Sequence, residues 1–213
     1  MKYFFLDTSN SHLIIAIYKN KKRLAYYNEI IGRDLSSQIM VIINDMFKQA
    51  NITPWDINKI FVVTGPGSFT GIRIGVTFAK TFAWACKIDI VPISSLELLA
   101  TTNSSRKLIV PIIDARRNYV YAGLYDKNLN QLEKDQYISI DNLFKKIGNK
   151  KVTFISYDKF ELIKKIKYPN VQILKIIKKY FNSESVVPHE LNPCYLKLTE
   201  AEEKLKNDSK SVS

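Results

Sequence analysis

Two short stretches hold the residues whose chemistry could matter most. Asp7-Thr8-Ser9 closes the apolar run over residues 3–6, and Asp114-Ala115-Arg116 closes the apolar run over residues 108–113. A carboxylate at the end of a buried strand can face a nucleotide-bound metal, and a hydroxyl beside it lets a hairpin wrap phosphates. Thr8 and Ser9 meet that need, whereas Ala115, Arg116 and Arg117 are bulkier and cationic. No glycine pair follows in the second half to receive adenosine. The simpler reading of each Asp is a cap that bonds to its own turn. His12 and His189 have no His, Glu or Cys neighbours at ligand spacing. Cys86 and Cys194 offer neither metal spacing nor a disulfide framework. Ser68 lacks the Gly-x-Ser-x-Gly elbow. No catalytic set emerges.

The elements that would position these groups are organised around Thr64-Gly65-Pro66-Gly67-Ser68-Phe69-Thr70-Gly71-Ile72-Arg73-Ile74-Gly75. A β-branched and aromatic run over 59–63 precedes it and reads as a buried strand. A stretch from Ile72 to about Lys87 follows without proline and reads as a helix. Gly65-Pro66-Gly67 forces a turn between them, and Ser68 or Thr70 can cap the helix. A helix N-terminus suits phosphate. Yet the loop has neither the Gly-Lys-Ser/Thr of a Walker A motif nor the third glycine of a dinucleotide fingerprint. Spacing alone favours a tight connection that binds nothing. Gly71, Gly75, Ala79 and Ala83 recur every four residues, with Ile72 and Val76 beside them. That pattern predicts one helix face on a sheet and a small-residue face for another helix at close approach.

Around this unit the chain reads as strands over 3–6, 12–18 and 23–31, then a helix over 36–50. That helix has apolar Ile39, Met40, Ile42, Ile43, Met46 and Phe47, a wider arc than one sheet contact needs. A strand over 88–93 leads to Ser94-x-x-Glu97, a capping box for a helix over 96–101. After Asn103-Ser104-Ser105 the pattern restarts. In each half a hydrophobic strand ends in Asp and a Tyr follows eleven residues later, Asp7 to Tyr18 and Asp114 to Tyr125. Two lobes of one topology follow, residues 1–103 and a smaller, degenerate 104–213. The second half reads as a helix over 140–147, a strand over 152–156 and a lysine-rich helix over 160–167. Residues 171–181 could be strand or helix. A short helix over 199–205 is expected to pack back on the first lobe.

The 213 residues are 46% hydrophobic and 24% charged, ordinary globular values, with a formal net charge of +12. Such charge suits either lysine spread passively over solvated faces or a surface that attracts tRNA or another polyanion. The opening residues reach Asp7 too soon for a secretory leader, and no stretch has the length of a membrane span. A cytoplasmic protein is the expectation.

The run from Gly65 to Gly75 resembles the signature of the TsaB family, the dimerisation subunit of the bacterial tRNA threonylcarbamoyladenosine complex. Leu6-Asp7-Thr8-Ser9, Asp114-Ala115-Arg116 with Tyr121, and Pro193-Cys194-Tyr195-Leu196-Lys197 fall in the family's order, so the likeness spans nearly the whole chain. It implies a two-lobed actin-like (ASKHA) α/β fold, each lobe a mixed sheet of about five strands with flanking helices. It implies a non-catalytic role beside a larger homologue, TsaD, which transfers threonylcarbamoyl to an adenosine next to the tRNA anticodon. A TsaE-like ATPase would join them. No cofactor is required of this subunit, with room for ATP or ADP at a subunit interface. No membrane is involved, and a homodimer is open to the chain when it is alone.

The resemblance also assigns residues. The partner face would be Ile39, Met40, Ile43 and Phe47 on the first helix and Gly71, Ile72, Gly75, Val76 and Ala79 on the second. The signature loop is Gly65, Pro66, Gly67, Ser68, Phe69, Thr70 and Arg73. Asp7, Thr8, Ser9, Asp114 and Arg116 would be vestiges of a phosphate site. Leu35 stands where many relatives have His, a departure that removes no required catalyst. Two other classes compete: a kinase or ATPase using the two Asp residues, and a peptidase, which lacks a His pair or triad here.

Overall fold

The computed structural model describes residues 1–32, 34–183 and 185–197. An antiparallel meander of β1 (Lys2–Asp7), β2 (His12–Lys19) and β3 (Lys22–Ile30) opens the first lobe. After helix α1 (Leu35–Ala50), β4 (Lys59–Gly65), α2 (Phe69–Cys86) and β5 (Asp89–Ser94) add two parallel strands beyond β1. The sheet order is β3-β2-β1-β4-β5. A six-residue helix, α3 (Ser95–Ala100), leads to the second lobe. There β6 (Leu108–Asp114), β7 (Tyr119–Asp126) and β8 (Gln131–Ser139) form a second meander. Helix α4 (Ile140–Ile147), β9 (Val152–Ile155) and β10 (Ile166–Lys167) complete a sheet of order β8-β7-β6-β9-β10. The two lobes therefore repeat one strand order, the two-lobed α/β arrangement expected from the sequence.

The repeat is not identical at its strand ends. Asp7 pairs with Ile14 across the first turn, and Asp114 pairs with Val120 across the second, one residue sooner. The tighter turn drives Arg116, Arg117 and Asn118 to φ of 70°, 53° and 61°. Left-handed backbone costs an ordinary side chain energy, so this is a strained connection.

Three apolar layers hold the molecule. The outer face of the first sheet (Phe4, Leu6, Ile15) packs on α1 and α2, and Phe47 stacks between Phe4 and Phe82 at 5.6 and 6.0 Å. The inner faces of both sheets (Phe5, Ile14, Ile109, Ile155) share a core with α3 and α5 (Ile173–Lys179), which joins the lobes directly. The outer face of the second sheet (Val110, Ile112, Ala122) packs on α4 and Ile163.

Ser94 caps α3 as the capping box predicts, accepting from the N–H groups of Leu96 and Glu97. The Glu97 carboxylate instead binds Lys179 at 2.5 Å and the Tyr180 hydroxyl at 2.7 Å, tying α3 to α5. The open stretch over 171–181 is thus a helix in its centre. The predicted helix over 160–167 does not form. Its last two residues pair with Phe154 and Ile155 as β10, and Ile163 turns into the outer core. Sheet pairing outweighs a helical pattern only eight residues long. Residues 199–205 lie outside the described residues. Past α5 the chain returns to the first lobe, where the Val186 N–H donates to the Ile90 carbonyl at 2.9 Å and the Cys194 N–H to Thr64 at 2.7 Å.

Candidate functional site

The glycine turn is built against the β1–β2 turn. Gly65 has φ of +119°, Gly67 of +153°, and a cis peptide joins Gly65 to Pro66. A Cβ on Gly67 would lie 2.1 Å from the Ser9 carbonyl oxygen, and one on Gly65 would lie 2.7 Å from that of Cys194. The Ser68 N–H donates to the Ser9 carbonyl at 2.7 Å, and the Ser68 hydroxyl caps α2 by accepting from Gly71 N–H. Ser95 donates its hydroxyl to the Pro66 carbonyl. Each contact needs backbone where a side chain would stand, which explains the glycine spacing.

The small-residue stripe continues this packing and is not a free face. A Cβ on Gly71 would meet the Thr8 carbonyl at 2.1 Å, and one on Gly75 the Thr8 hydroxyl at 2.2 Å. The Thr8 hydroxyl also donates to the Gly71 carbonyl at 2.8 Å. Gly71, Ile72, Gly75, Val76 and Ala79 are all buried within this chain. Their expected role on the surface is corrected: the bare stripe lets α2 lie against the end of β1. On α1, Ile39, Ile43 and Phe47 are likewise buried, and Met40 is 59% exposed.

The outer face of the helix pair is a different set. Ile74, Phe78 and Phe82, spaced at i, i+4 and i+8, run along α2 beside the glycine stripe. With Met40 and the edge of Ile39 they line an open groove of about 610 Å³ between α1 and α2. At one end the Arg73 guanidinium sits 3.9 Å over the Phe69 ring and its Nε donates to the Tyr195 hydroxyl at 2.8 Å. Phe69 stacks on Tyr195 at 5.2 Å, so the signature loop, α2 and the C-terminal strap form one unit. The 74–78–82 spacing is the sequence signal for this face, beside the buried glycine stripe.

The strand ends flank a cleft of about 840 Å³ between the lobes. Thr8, Ser9, Ser68, Asp114 and Arg116 line it. Asp7 lies behind them, fully buried. One Asp7 oxygen accepts from Ser9 N–H at 2.8 Å and from the Ser9 hydroxyl at 2.6 Å, and the other from Asn10 at 3.2 Å. Burial pushes the Asp7 carboxyl above the usual range, against the pull of those bonds. Asp114 accepts from Arg116 N–H at 2.9 Å and stands 3.7 Å from the Arg116 guanidinium, while its own N–H donates to Asp158. Both acids thus cap their own turns. Among the described residues no group of three His, Cys, Asp or Glu could hold a metal ion.

His12 is a structural link between the lobes. Its Nδ1 pairs with Asn28 at 2.8 Å, its Nε2 with the Tyr168 hydroxyl at 2.7 Å, and its ring stacks on Tyr157 at 4.3 Å. Burial raises the thiol pKa of Cys86 and of Cys194, which argues against a reactive thiolate. Among the described residues no helix is long and apolar enough to cross a membrane.

Residues 27–190 match the model of the TsaD family, tRNA N6-adenosine threonylcarbamoyltransferase. The tRNA threonylcarbamoyladenosine biosynthesis protein TsaB of Bacillus subtilis is 35% identical, over 96% of this chain and 97% of that protein. Its Escherichia coli counterpart is 26% identical over 61% of this chain and 57% of that protein. Among solved structures, YeaZ of Pseudomonas aeruginosa superposes with a TM-score of 0.74 at 19% identity, over 92% of this chain and 99% of that one.

Proposed function

Because this chain belongs to the TsaB family, we propose that it serves tRNA threonylcarbamoyladenosine biosynthesis as a non-catalytic subunit that seats a TsaD-type partner on the outer face of α1 and α2. The observation that carries the reading is the groove of Ile74, Phe78, Phe82 and Met40, apolar surface left open by a helix pair whose other side is already buried. Patches of this kind mark interaction sites. A partner helix laid along it would contribute to an interface of standard size, ~1,600 Å². Arg73, Phe69 and Tyr195 would form the polar and aromatic end of that interface.

The site chemistry supports the absence of a reaction in this subunit. Asp7 has its oxygens occupied by its own turn, and Asp114 is held beside Arg116. Neither acid is left free for a metal-bound nucleotide, and no cofactor is required of this chain. ATP or ADP, and a TsaE-type ATPase, belong in this reading to the assembled complex. The kinase reading would need turnover by the isolated protein that is lost in Asp7→Ala.

The test is reconstitution. With a TsaD-type and a TsaE-type protein from the same cell, tRNA, ATP and the threonylcarbamoyl donor, modification should require this chain. A mixture equally active without it overturns the proposal, as does nucleotide or peptide hydrolysis by the chain alone.

A further inference from the structure

In the first lobe the β4-to-β5 crossover is α2, an 18-residue helix that covers the outer sheet face. In the second lobe the matching β9-to-β10 crossover contains no helix. The place that α2 fills in one lobe is, in the other, an open groove of about 580 Å³. Phe144, Phe154 and Leu162 form its floor, with Leu162 53% and Phe144 38% exposed. Arg106, Lys150, Lys164, Lys165 and Lys167 stand around it, and no carboxylate lines it.

No acid lines the groove to offset this charge. Lys2, Lys59, Lys146 and Lys179 each face an acid within 4.0 Å. Among the described residues no ion pair engages Lys150, Lys164 or Lys165. Arg106 and Lys167 are fixed by carbonyls, Val152 at 2.7 Å and Asn103 at 2.6 Å, which hold their charge in place without neutralising it. An apolar floor takes lysine stems and leaves the ammonium groups along the rim. Such a rim suits a chain of regularly spaced negative charges.

We infer that this lysine-rimmed groove on the outer face of the second lobe is a docking surface for the phosphate backbone of tRNA. The inference rests on the proposed role in tRNA modification. It gives the two outer faces separate tasks: the first lobe seats protein, and the second holds the substrate without reading its sequence. An acidic protein segment is the competing occupant, and the test separates the two.

The probe is bulk tRNA from the same cell, titrated against this chain in complex with its TsaD-type partner. The groove variant is Lys150→Glu/Lys164→Glu/Lys165→Glu. The control is Lys19→Glu/Lys21→Glu/Lys22→Glu, the same charge change on the exposed β2–β3 turn of the first lobe. The groove variant should weaken tRNA binding at least ~10-fold and flatten the slope of log affinity against log salt by about 2 to 3, near 0.9 per lost phosphate contact. The control should change affinity less than ~3-fold, since distant exposed charges are screened. Equal losses in the two variants would reduce the effect to net charge and overturn the inference. So would wild-type tRNA affinity in a groove variant that had lost binding to an acidic protein. If the wild-type complex neither binds nor modifies tRNA, the functional proposal falls as well. If it does both and the groove variant does so equally, only the groove assignment falls.

Discussion

The two lobes share a strand order and differ in what covers them. The first sheet carries a 16-residue and an 18-residue helix on its outer face, and their own outer side displays a second apolar surface. The second sheet carries the eight-residue α4 and an irregular crossover, with a cationic groove where a second helix would lie. The same contrast holds at the strand ends. In the first lobe Thr8 and Ser9 receive the glycine turn, whereas in the second Arg116, Arg117 and Asn118 take up left-handed backbone. One strand order, used twice, stands with two long helices in one half and with a thinned cover in the other. The glycines therefore report on architecture; the neighbouring aromatic stripe is the surface proposed for association.

The largest expected effect lies at the turn. Gly67→Ala places a methyl carbon 2.1 Å from the Ser9 carbonyl oxygen, where only backbone could give way. A loss of more than ~4 kcal/mol, or failure to fold, is expected in urea unfolding. Gly148→Ala in the second lobe meets nothing closer than 3.9 Å and bears only its positive-φ backbone. About 1–3 kcal/mol is expected there, since φ of 55° with ψ of −133° lies outside the αL well. Equal losses at the two sites would erase the contrast between the lobes.

Truncation of the aromatic layers comes next. Phe47→Ala removes a ring stacked on both Phe4 and Phe82 and should cost ~3–5 kcal/mol. Phe144→Ala, at the partly exposed floor of the second-lobe groove, should cost about 1 kcal/mol.

The smallest effect is a pH profile. Burial raises the Asp7 pKa above its ordinary 3.8. A raised carboxyl pKa contributes stability that is fully present below the unfolded value and is lost as pH rises through the folded one. Asp7→Asn removes that dependence, so the wild type should lose urea resistance relative to the variant as pH climbs from 3.8. Asp56 behaves oppositely. Its hydrogen bond to Lys2 holds it at about 2, so its contribution is present above 3.8 and fades as pH falls toward 2. Asp56→Asn should therefore abolish a loss confined to acid. Parallel wild-type and variant profiles in either case would refute the assigned sign.

Much of the fold was legible in the sequence because local signals agreed with tertiary ones. Alternating apolar runs, the Ser68 and Ser94 caps, and the Asp–Tyr repeat all led to elements now seen. Two readings failed where a local pattern left its partner unspecified. Gly71 and Gly75 announce close approach, but only the fold shows that Thr8 is what approaches. Residues 160–167 carry helical spacing, but Ile166 and Lys167 are taken by β9. Family likeness pointed to α1 and α2 as the partner surface proposed here. Its face had to come from burial, since Ile39, Phe47 and Ile72 are as apolar as Ile74 and Phe78.

The most direct measurement is light scattering on a sizing column with a TsaD-type protein from the same cell, for the wild type and for Met40→Glu. Met40 is exposed at the groove and supports nothing in the core, so the variant should keep its unfolding midpoint. The wild type should elute with the partner as a one-to-one complex. Met40→Glu should weaken that complex about 100-fold, ~2.7 kcal/mol, by burying a charge without a counterpart. A variant that pairs as tightly as the wild type would contradict the assignment of the first lobe's outer face to the partner.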